Sequence, residues 1–251
     1  MGGHSHWSTI KRQKGASDAK RGAIFTKLSR EITVAAREGG GDPDMNPRLR
    51  LAVEKAREAN MPADTIKRAI ERGVGGGEGA TLQEITFEGY GPGGVAILIQ
   101  TLTDNRNRTV SDVRTTLARG GGNLGEAGSV AWQFESCGLI SLEAADSDAE
   151  ELALAAIDAG AEDVRVEDRI VEVYTVPTDL DRVRRQLAEA GLSAANAELS
   201  MLPKNTLALD ERTAQQVLKL LDQIEDLDDV QKVYTNADFP DAVLMEYAAA
   251  R

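Results

Sequence analysis

Few side chains in this 251-residue chain could carry out catalysis. The only two histidines, His4 and His6, lie near the N-terminus, and Cys137 is the only cysteine. A Ser-His-Asp or Cys-His site would therefore need one of those histidines to dock against the rest of the protein. Acidic pairs such as Asp228-Asp229 lie in a general acidic excess and read as solvated surface. We therefore predict no catalytic residues, no metal site and no cofactor, and hence not an enzyme.

A glycine-rich segment at residues 89–94, GYGPGG, matches the G-x-G-x-x-G pattern of a dinucleotide-binding fingerprint. That fingerprint needs a helix directly after it, because the helix N-terminus binds the pyrophosphate. Here the aliphatic run VAILI at 95–99 follows and indicates a strand. The segment is therefore predicted to be a turn between two strands.

The main candidate for binding is a cationic N-terminal arm, residues 1–15. Trp7 is followed closely by Lys11, Arg12 and Lys14. Lys and Arg neutralise phosphates, and an indole offers a face on which any base can stack. The pattern fits nucleic-acid binding, and it equally fits a solvated N-terminus that Trp7 anchors to the body. Further candidate phosphate contacts follow along the chain: Lys20, Arg21, Lys27 and Arg30.

A second candidate lies at residues 104–108, DNRNR. Arg106 and Arg108 cluster just before a predicted helix N-terminus, where they could contact phosphates. The alternative is a loop that the Asp and Asn side chains hold by hydrogen bonds. Both interpretations stay open at the level of sequence.

The charges are unevenly distributed. The chain has 29 Lys and Arg against 41 Asp and Glu, a formal net charge of -12. Residues 1–37 contain eight basic and two acidic residues, whereas residues 133–251 contain 10 basic and 26 acidic ones. A basic arm could contact the phosphates of a nucleic acid, while an acidic body would limit non-specific binding of that nucleic acid.

Composition favours a folded cytoplasmic protein. Apolar residues make up 41% of the chain, and no apolar run approaches the roughly 20 residues that a membrane span needs. A single cysteine excludes an internal disulfide, which is typical of the reducing cytosol. The N-terminus lacks the apolar core of a secretory signal. We expect no membrane contact.

Apolar periodicity predicts three helices at the start of the chain, over residues 16–38, 47–59 and 62–73. In the first helix, Leu28 and Ile32 belong to the apolar stripe, which places Lys27, Arg30 and Arg37 on the opposite, solvent-facing side. A glycine-rich linker is predicted at 75–79.

The later segments alternate between strand and helix patterns. Strands are predicted over 81–90, 95–102 and 129–134, with a helix over 109–119 that begins at a capping box on Thr109. Residues 137–202 have the β-α-β-β-α-β order of a ferredoxin-like domain. The tail, a helix over 213–227 and a strand over 230–235, is too small to stand alone. We expect it to complete the sheet of residues 80–134.

Several motifs resemble those of the YebC family, in the same order along the chain. They cover roughly the first 135 residues. The acidic C-terminal half matches the family in the order of its elements more than in its residues. Many members have a basic residue where this chain has His6, which weakens the first cation of the arm at neutral pH. The motifs are GHSHW (3–7), IKR (10–12), DAKRG (18–22), FTKL (25–28), NMP (60–62), GYGPGG (89–94), TDNRNRT (103–109) and GGNLG (121–125).

The resemblance implies an α+β protein of three domains, in agreement with the patterns above. A basic arm and three-helix domain would span 1–75, and a central α/β domain would combine 79–134 with 206–251. An inserted ferredoxin-like domain would span 135–205.

For function, the resemblance implies a non-enzymatic, nucleic-acid-binding regulator of gene expression. The family is commonly described as DNA-binding transcriptional regulators. Some relatives resemble translation factors that act at the ribosome, where they would bind ribosomal RNA and relieve stalling on proline-rich nascent chains. A helix that reads base edges in a DNA groove needs side chains such as Arg, Asn or Gln. The first helix also has Thr26, Thr33 and Val34, which are a poor set for that purpose. A flexible cationic arm fits irregular RNA better.

A further alternative is a protein-interaction module. In that case the acidic residues 133–251 would bind a basic partner, and the arm would be incidental. The sequence leaves the oligomeric state open, with a monomer favoured.

Overall fold

A computed structural model describes residues 18–75, 82–144, 149–167 and 169–249 of the chain. The predicted arm at 1–15 and nearly all of the predicted linker lie outside the described residues. The described residues form eight α-helices, ten strands and three short 3₁₀ segments. This is the α+β architecture that the sequence predicts.

Three helices near the N-terminus enclose their own apolar core, in agreement with the prediction. Leu28, Ile32 and Leu49 belong to that core. The second helix begins where expected, because the Asn46 side chain accepts a hydrogen bond from the Leu49 N–H (3.1 Å) and Pro47 has no N–H to satisfy. This helical part consists of α1 (Asp18–Gly39), α2 (Pro47–Glu58) and α3 (Ala63–Val74).

A sheet with two packed helices follows, and we call it the sheet part. Its first segment contains β1 (Gln83–Tyr90), β2 (Ala96–Thr103), α4 (Arg106–Arg119) and β3 (Asn123–Leu124). A 3₁₀ segment, Pro92–Gly94, joins β1 to β2, and Gly93 adopts a positive φ of 76° that only glycine tolerates well. The GYGPGG segment is therefore a turn between strands, as predicted.

The middle of the chain forms a separate four-stranded sheet. Its strand order is β5-β6-β4-β7, which is the order of a ferredoxin-like domain, as the β-α-β-β-α-β pattern predicts. The elements are β4 (Phe134–Glu143), α5 (Ala149–Asp158), β5 (Asp163–Glu167), β6 (Ile170–Thr175), α6 (Leu180–Glu189) and β7 (Ala194–Pro203).

The C-terminal tail returns to the first sheet. Its strand order is β3-β1-β2-β9, and Val233 of β9 lies opposite Ile99 of β2. Helices α4 and α7 contribute Leu117 and Leu221 to the core beneath these strands. The tail thus completes the central sheet, as expected. It contains β8 (Leu207–Ala208), α7 (Glu211–Glu225), β9 (Val230–Thr235), β10 (Ala237–Asp238) and α8 (Asp241–Ala249).

The start of α4 differs from the prediction. The helix begins at Arg106, because the Asn105 side chain accepts a hydrogen bond from the Arg108 N–H (3.1 Å) and caps the first turn. Thr109, the predicted cap, is a buried residue within that turn. The predicted capping box is therefore wrong.

The predicted strand over 129–134 is also wrong. Residues 129–133 form a bend and the 3₁₀ segment Ala131–Gln133, and β4 begins only at Phe134. The backbone N–H groups of Val130 and Ala131 donate to the carboxylate of Glu88, so they are not available for a strand ladder.

The chain divides into two compact units. The described residues of Met1–Phe134 and Pro203–Arg251 form the first unit, which contains the helical part and the sheet part. Glu135–Leu202 form the second unit, which is the ferredoxin-like domain.

Candidate nucleic-acid interface

The predicted arm, residues 1–15, lies outside the described residues. Trp7, Lys11, Arg12 and Lys14 lie outside the described residues, as does the side chain of Lys20. Within the described residues, Arg21 is exposed near the beginning of α1.

Lys27 points toward the end of α7. Its Nζ lies 2.5 Å from the backbone carbonyl oxygen of Glu225, the last residue of that helix, and the side chain is half-buried. A cation is favourable at this position because the last carbonyls of a helix carry partial negative charge. Burial lowers the pKa of the Lys27 amine, and the nearby carboxylates of Asp226 and Asp228 oppose that shift. The prediction that Lys27 faces solvent is wrong.

Arg30 contacts the loop that follows α7. Its Nη1 donates to the backbone carbonyl of Asp228 (2.6 Å) and to Oδ1 of Asp229 (3.0 Å). Its side chain is 22% exposed, so the prediction of a solvent-facing Arg30 is wrong as well. The helical wheel placed both cations opposite the core of the helical part, and that side of α1 packs against the sheet part.

Asp229 is the buried acceptor at this contact, with 5% exposure. Beside Arg30, its carboxylate accepts hydrogen bonds from Arg108 Nη2 (2.8 Å), Thr109 Oγ1 (2.8 Å) and Thr103 Oγ1 (3.1 Å). Burial raises the pKa of Asp229, but the hydrogen bonds from Arg108 and the two threonines outweigh it and hold the pKa below its ordinary value. The carboxylate is therefore ionised and fully coordinated.

Sequence reasoning missed Asp229 and treated the Asp228-Asp229 pair as solvated surface. That holds for Asp228, which is exposed, and is wrong for Asp229. No local pattern distinguishes the two, because the groups that pair with Asp229 lie 120 or more positions away in the chain.

Two more arginines connect the helical part to the sheet part. Arg37 Nη2 donates to the backbone carbonyl of Leu82 (2.6 Å), and Arg48 forms ion pairs with Glu84 and Glu38. Together with Lys27 and Arg30, these cations hold α1 and α2 against the sheet part.

The two arginines of residues 104–108 have different environments. Arg108 binds Asp229 and also Asp104, whose Oδ1 lies 2.8 Å from Nη2. For Arg108, the interpretation of a loop held by hydrogen bonds is therefore the better one. Arg106 is exposed, and its side chain has no partner among the described residues.

The exposed side of α4 adds arginines that sequence reasoning did not single out. Arg114 and Arg119 are exposed and, like Arg106, have no side-chain partner within the described ranges. The available signal was the composition of this helix, which contains four arginines and one acidic residue. In a chain with an acidic excess, such a helix is a local positive surface.

Two features are absent from the described residues. No group of three or more His, Cys, Asp or Glu side chains there is placed to hold a metal ion. None of the helices in the same ranges combines the length and apolar character that a membrane crossing requires.

Two family models together match nearly the whole chain. Residues 5–76 match the TACO1/YebC protein N-terminal domain, and residues 82–237 match the TACO1/YebC second and third domain. The chain belongs to the TACO1/YebC family. The resemblance seen in the sequence motifs is thereby confirmed.

Bacterial relatives share the full length of this TACO1/YebC protein. Each carries the name "probable transcriptional regulatory protein". A relative from Dehalococcoides mccartyi strain CBDB1 is 56% identical over 247 residues, 98% of both chains. Relatives from Rubrobacter xylanophilus and Chloroflexus aurantiacus are 55% and 54% identical, each over 99% of this chain and 100% of the relative.

A solved structure supports the fold assignment. The crystal structure of a conserved hypothetical protein from Aquifex aeolicus matches this TACO1/YebC protein with a TM-score of 0.85 and 47% identity. The match covers 90% of this chain and 94% of that one.

One YebC motif now has a structural explanation. In the TDNRNRT segment, Thr103, Arg108 and Thr109 all donate to the carboxylate of Asp229. Asn105 caps α4, and Arg106 remains exposed. This motif therefore builds a buried polar cluster and leaves one arginine at the surface.

Proposed function

We propose that this protein is a non-enzymatic, cytoplasmic regulator of gene expression that binds nucleic acid through its N-terminal arm. The observation that carries the proposal is the division of its cations. Lys27, Arg30 and Arg108 are bound by acceptors of the protein itself, whereas the arm concentrates Lys11, Arg12 and Lys14 in a chain with a net charge of -12. Cations concentrated in an otherwise acidic protein are a typical phosphate-binding feature.

The proposed contacts therefore fall into two groups. Lys11, Arg12, Lys14, Lys20 and Arg21 neutralise phosphates, with Trp7 as a stacking side chain of the arm. Arg106 extends this surface onto α4. Lys27 and Arg30 act as positioning residues that fix the helical part on the sheet part, so that the arm starts from a defined place. Arg108 holds the start of α4 on Asp229 within the sheet part.

The name of the relatives, probable transcriptional regulatory protein, supports transcription as the process and DNA as the target. The proposal is tested by reversing the arm charges with K11E/R12E/K14E and measuring binding to fluorescent duplex DNA and to folded RNA. We expect binding to be abolished while circular dichroism and thermal unfolding stay unchanged. Unchanged affinity would contradict the assignment of the site.

A matched control keeps this test specific. Arg212 and Lys219 are exposed on α7 and have no side-chain partner among the described residues. The double reversal R212E/K219E changes the net charge in the same direction but lies outside the proposed surface. We expect it to change affinity much less than the arm variant does.

A second candidate is a translation factor that binds ribosomal RNA. The inward orientation of Lys27 and Arg30 favours it, because a helix that inserts into a DNA groove needs such side chains at its surface. Sucrose-gradient sedimentation of tagged protein from gently lysed cells, with and without RNase, separates the candidates. RNase-sensitive co-migration with ribosomal particles supports translation. Free protein that crosslinks to DNA supports transcription.

A further inference from the structure

Trp132 is a large aromatic side chain at the surface of the sheet part. It lies in the 3₁₀ segment Ala131–Gln133 and is 66% exposed. Its indole Nε1–H donates to the backbone carbonyl of Ser129 at 3.1 Å. The polar edge of the ring is thus satisfied within the protein, and what remains for a ligand is its apolar surface.

The loop that carries Trp132 is held by a buried carboxylate. Glu88 of β1, 8% exposed, accepts three backbone hydrogen bonds, from Gly128 (2.6 Å), Val130 (2.7 Å) and Ala131 (2.7 Å). Burial raises the pKa of Glu88, but these three N–H donors outweigh it and keep the pKa below its ordinary value. An ionised carboxylate therefore fixes the backbone on the N-terminal side of Trp132.

A second hydrogen bond fixes the carbonyl that orients the indole. The hydroxyl of Tyr90 donates to the Ser129 carbonyl at 3.0 Å, so this oxygen accepts from both aromatic side chains. A ring that is both exposed and fixed in this way loses little conformational freedom when a flat ligand stacks on it.

The surroundings of Trp132 are polar and contain a cation. The backbone N–H of Lys204 donates to the carbonyl of Gln133 at 2.8 Å, which places Lys204 beside the 3₁₀ segment. Lys204 is exposed, and its side chain has no partner among the described residues. Residues 120–134 and 203–206 contain no other large exposed apolar side chain, and the next residue, Leu207, is 37% exposed.

An exposed tryptophan beside a lysine fits some classes of ligand better than others. Protein-binding hot spots cluster several apolar side chains in a packed patch, and Trp132 has no such neighbours in these segments. Binding of single-stranded nucleic acid needs an aromatic face for the base and a nearby cation for the phosphate. Trp132 and Lys204 meet both requirements.

We propose that Trp132 is a stacking platform for an unpaired base of single-stranded nucleic acid, with Lys204 beside it for the adjoining phosphate. This inference rests on the proposed nucleic-acid binding and adds a site on the body of the protein, separate from the arm. It assigns a role to the Glu88 carboxylate as a positioning group for the platform.

The two tryptophans of the chain allow a direct test. In the W7F variant, Trp132 is the only tryptophan, so its fluorescence reports on this site alone. Oligo(dT) and oligo(U) of about 12 nucleotides are titrated in, with inorganic polyphosphate as a probe of charge alone. We expect saturable quenching by the oligonucleotides and little change with polyphosphate.

Affinity measured by anisotropy of a labelled oligonucleotide completes the test. We expect W132A to weaken binding by about 5-fold or more, and W132Y to retain most of the affinity because its ring can still stack. Wild-type binding with no quenching of Trp132 and no effect of W132A would overturn this inference alone. No binding of any nucleic acid by the wild-type protein would overturn the proposed function as well.

Discussion

Arg30 and Asp229 are 199 positions apart in the chain, yet Nη1 of the arginine lies 3.0 Å from Oδ1 of the aspartate. The same carboxylate accepts hydrogen bonds from Arg108. Arg108 lies within a YebC motif and Arg30 lies shortly after one. From the sequence, both were candidate phosphate contacts. In the folded protein, Arg30 joins the helical part to the sheet part, and Arg108 holds α4 on the same carboxylate within the sheet part. The cations of the first 110 residues therefore include a structural set and a set available for ligands.

Substituting Asp229 tests the structural set. D229N removes the negative charge that Arg30 and Arg108 share. Loss of one partner from a buried ion pair costs about 3–5 kcal/mol, and the partial exposure of both arginines reduces this cost by solvent screening. We expect a loss of about 2 kcal/mol in the free energy of unfolding, measured by urea titration with circular dichroism.

The neighbouring Asp228 provides the matched control. Its side chain is exposed, its backbone carbonyl accepts from Arg30, and its carboxylate acts on Lys27 through its charge. D228N makes the same chemical change one position away, and we expect an effect within about 0.5 kcal/mol. Equal losses of unfolding free energy in D229N and D228N would mean that the Asp229 carboxylate stabilises the protein no more than the exposed Asp228 carboxylate does.

The stabilisation by Asp229 is expected to depend on pH. Its pKa is lower in the folded than in the unfolded state, so its contribution is fully present above the unfolded pKa of about 4. It is lost as the pH falls through the folded pKa. We therefore expect the stability difference between wild type and D229N to be constant from pH 7 to 5 and to shrink below about pH 4. A difference that grew on acidification would contradict the ion-pair account.

Arg106 and Arg108, two positions apart, should respond oppositely to substitution. Arg108 binds the buried Asp229, whereas Arg106 has no partner among the described residues. R108A is expected to lower the urea midpoint, and R106A to leave it unchanged while weakening nucleic-acid binding. If R106A destabilises the protein and R108A does not, the division into two sets of cations is wrong.

Cys137 should react slowly with thiol reagents. Its side chain is buried on β4, and burial, with contributions from Glu135 and other carboxylates, raises the pKa of the thiol to about 11. Because only the thiolate reacts, we expect modification by a disulfide reagent at pH 8 to be roughly 100-fold slower in the native than in the urea-unfolded protein. Comparable rates in the two states would mean that the thiol is accessible and its pKa ordinary.

Local patterns predicted most of the helices and strands, because each depends on nearby residues. The apolar period predicted α2, and the GYGPGG turn separated β1 from β2. The predicted strand over 129–134 was wrong because the backbone of that segment is bound by Glu88, some 40 positions earlier. No local signal reveals such a contact.

The candidate site was harder to predict for the same reason. A helical wheel separates the apolar side of α1 from its polar side, but it cannot show a second packing partner. Lys27 and Arg30 contact residues 225–229 from the opposite end of the chain. Sequence could therefore identify the cations, but only the fold shows which of them are already bound.

The central claim is that the arm neutralises phosphates, and the salt dependence of binding tests it most directly. Each phosphate contact adds about −0.9 to the slope of log K against log [salt] on duplex DNA and about −0.7 on single strands. The slope is measured for wild type, for K11A/R12A/K14A and for the control R212A/K219A. We predict that the arm variant has a slope less negative by about 2 to 3, while the control matches wild type. An arm variant with the wild-type slope would contradict the account.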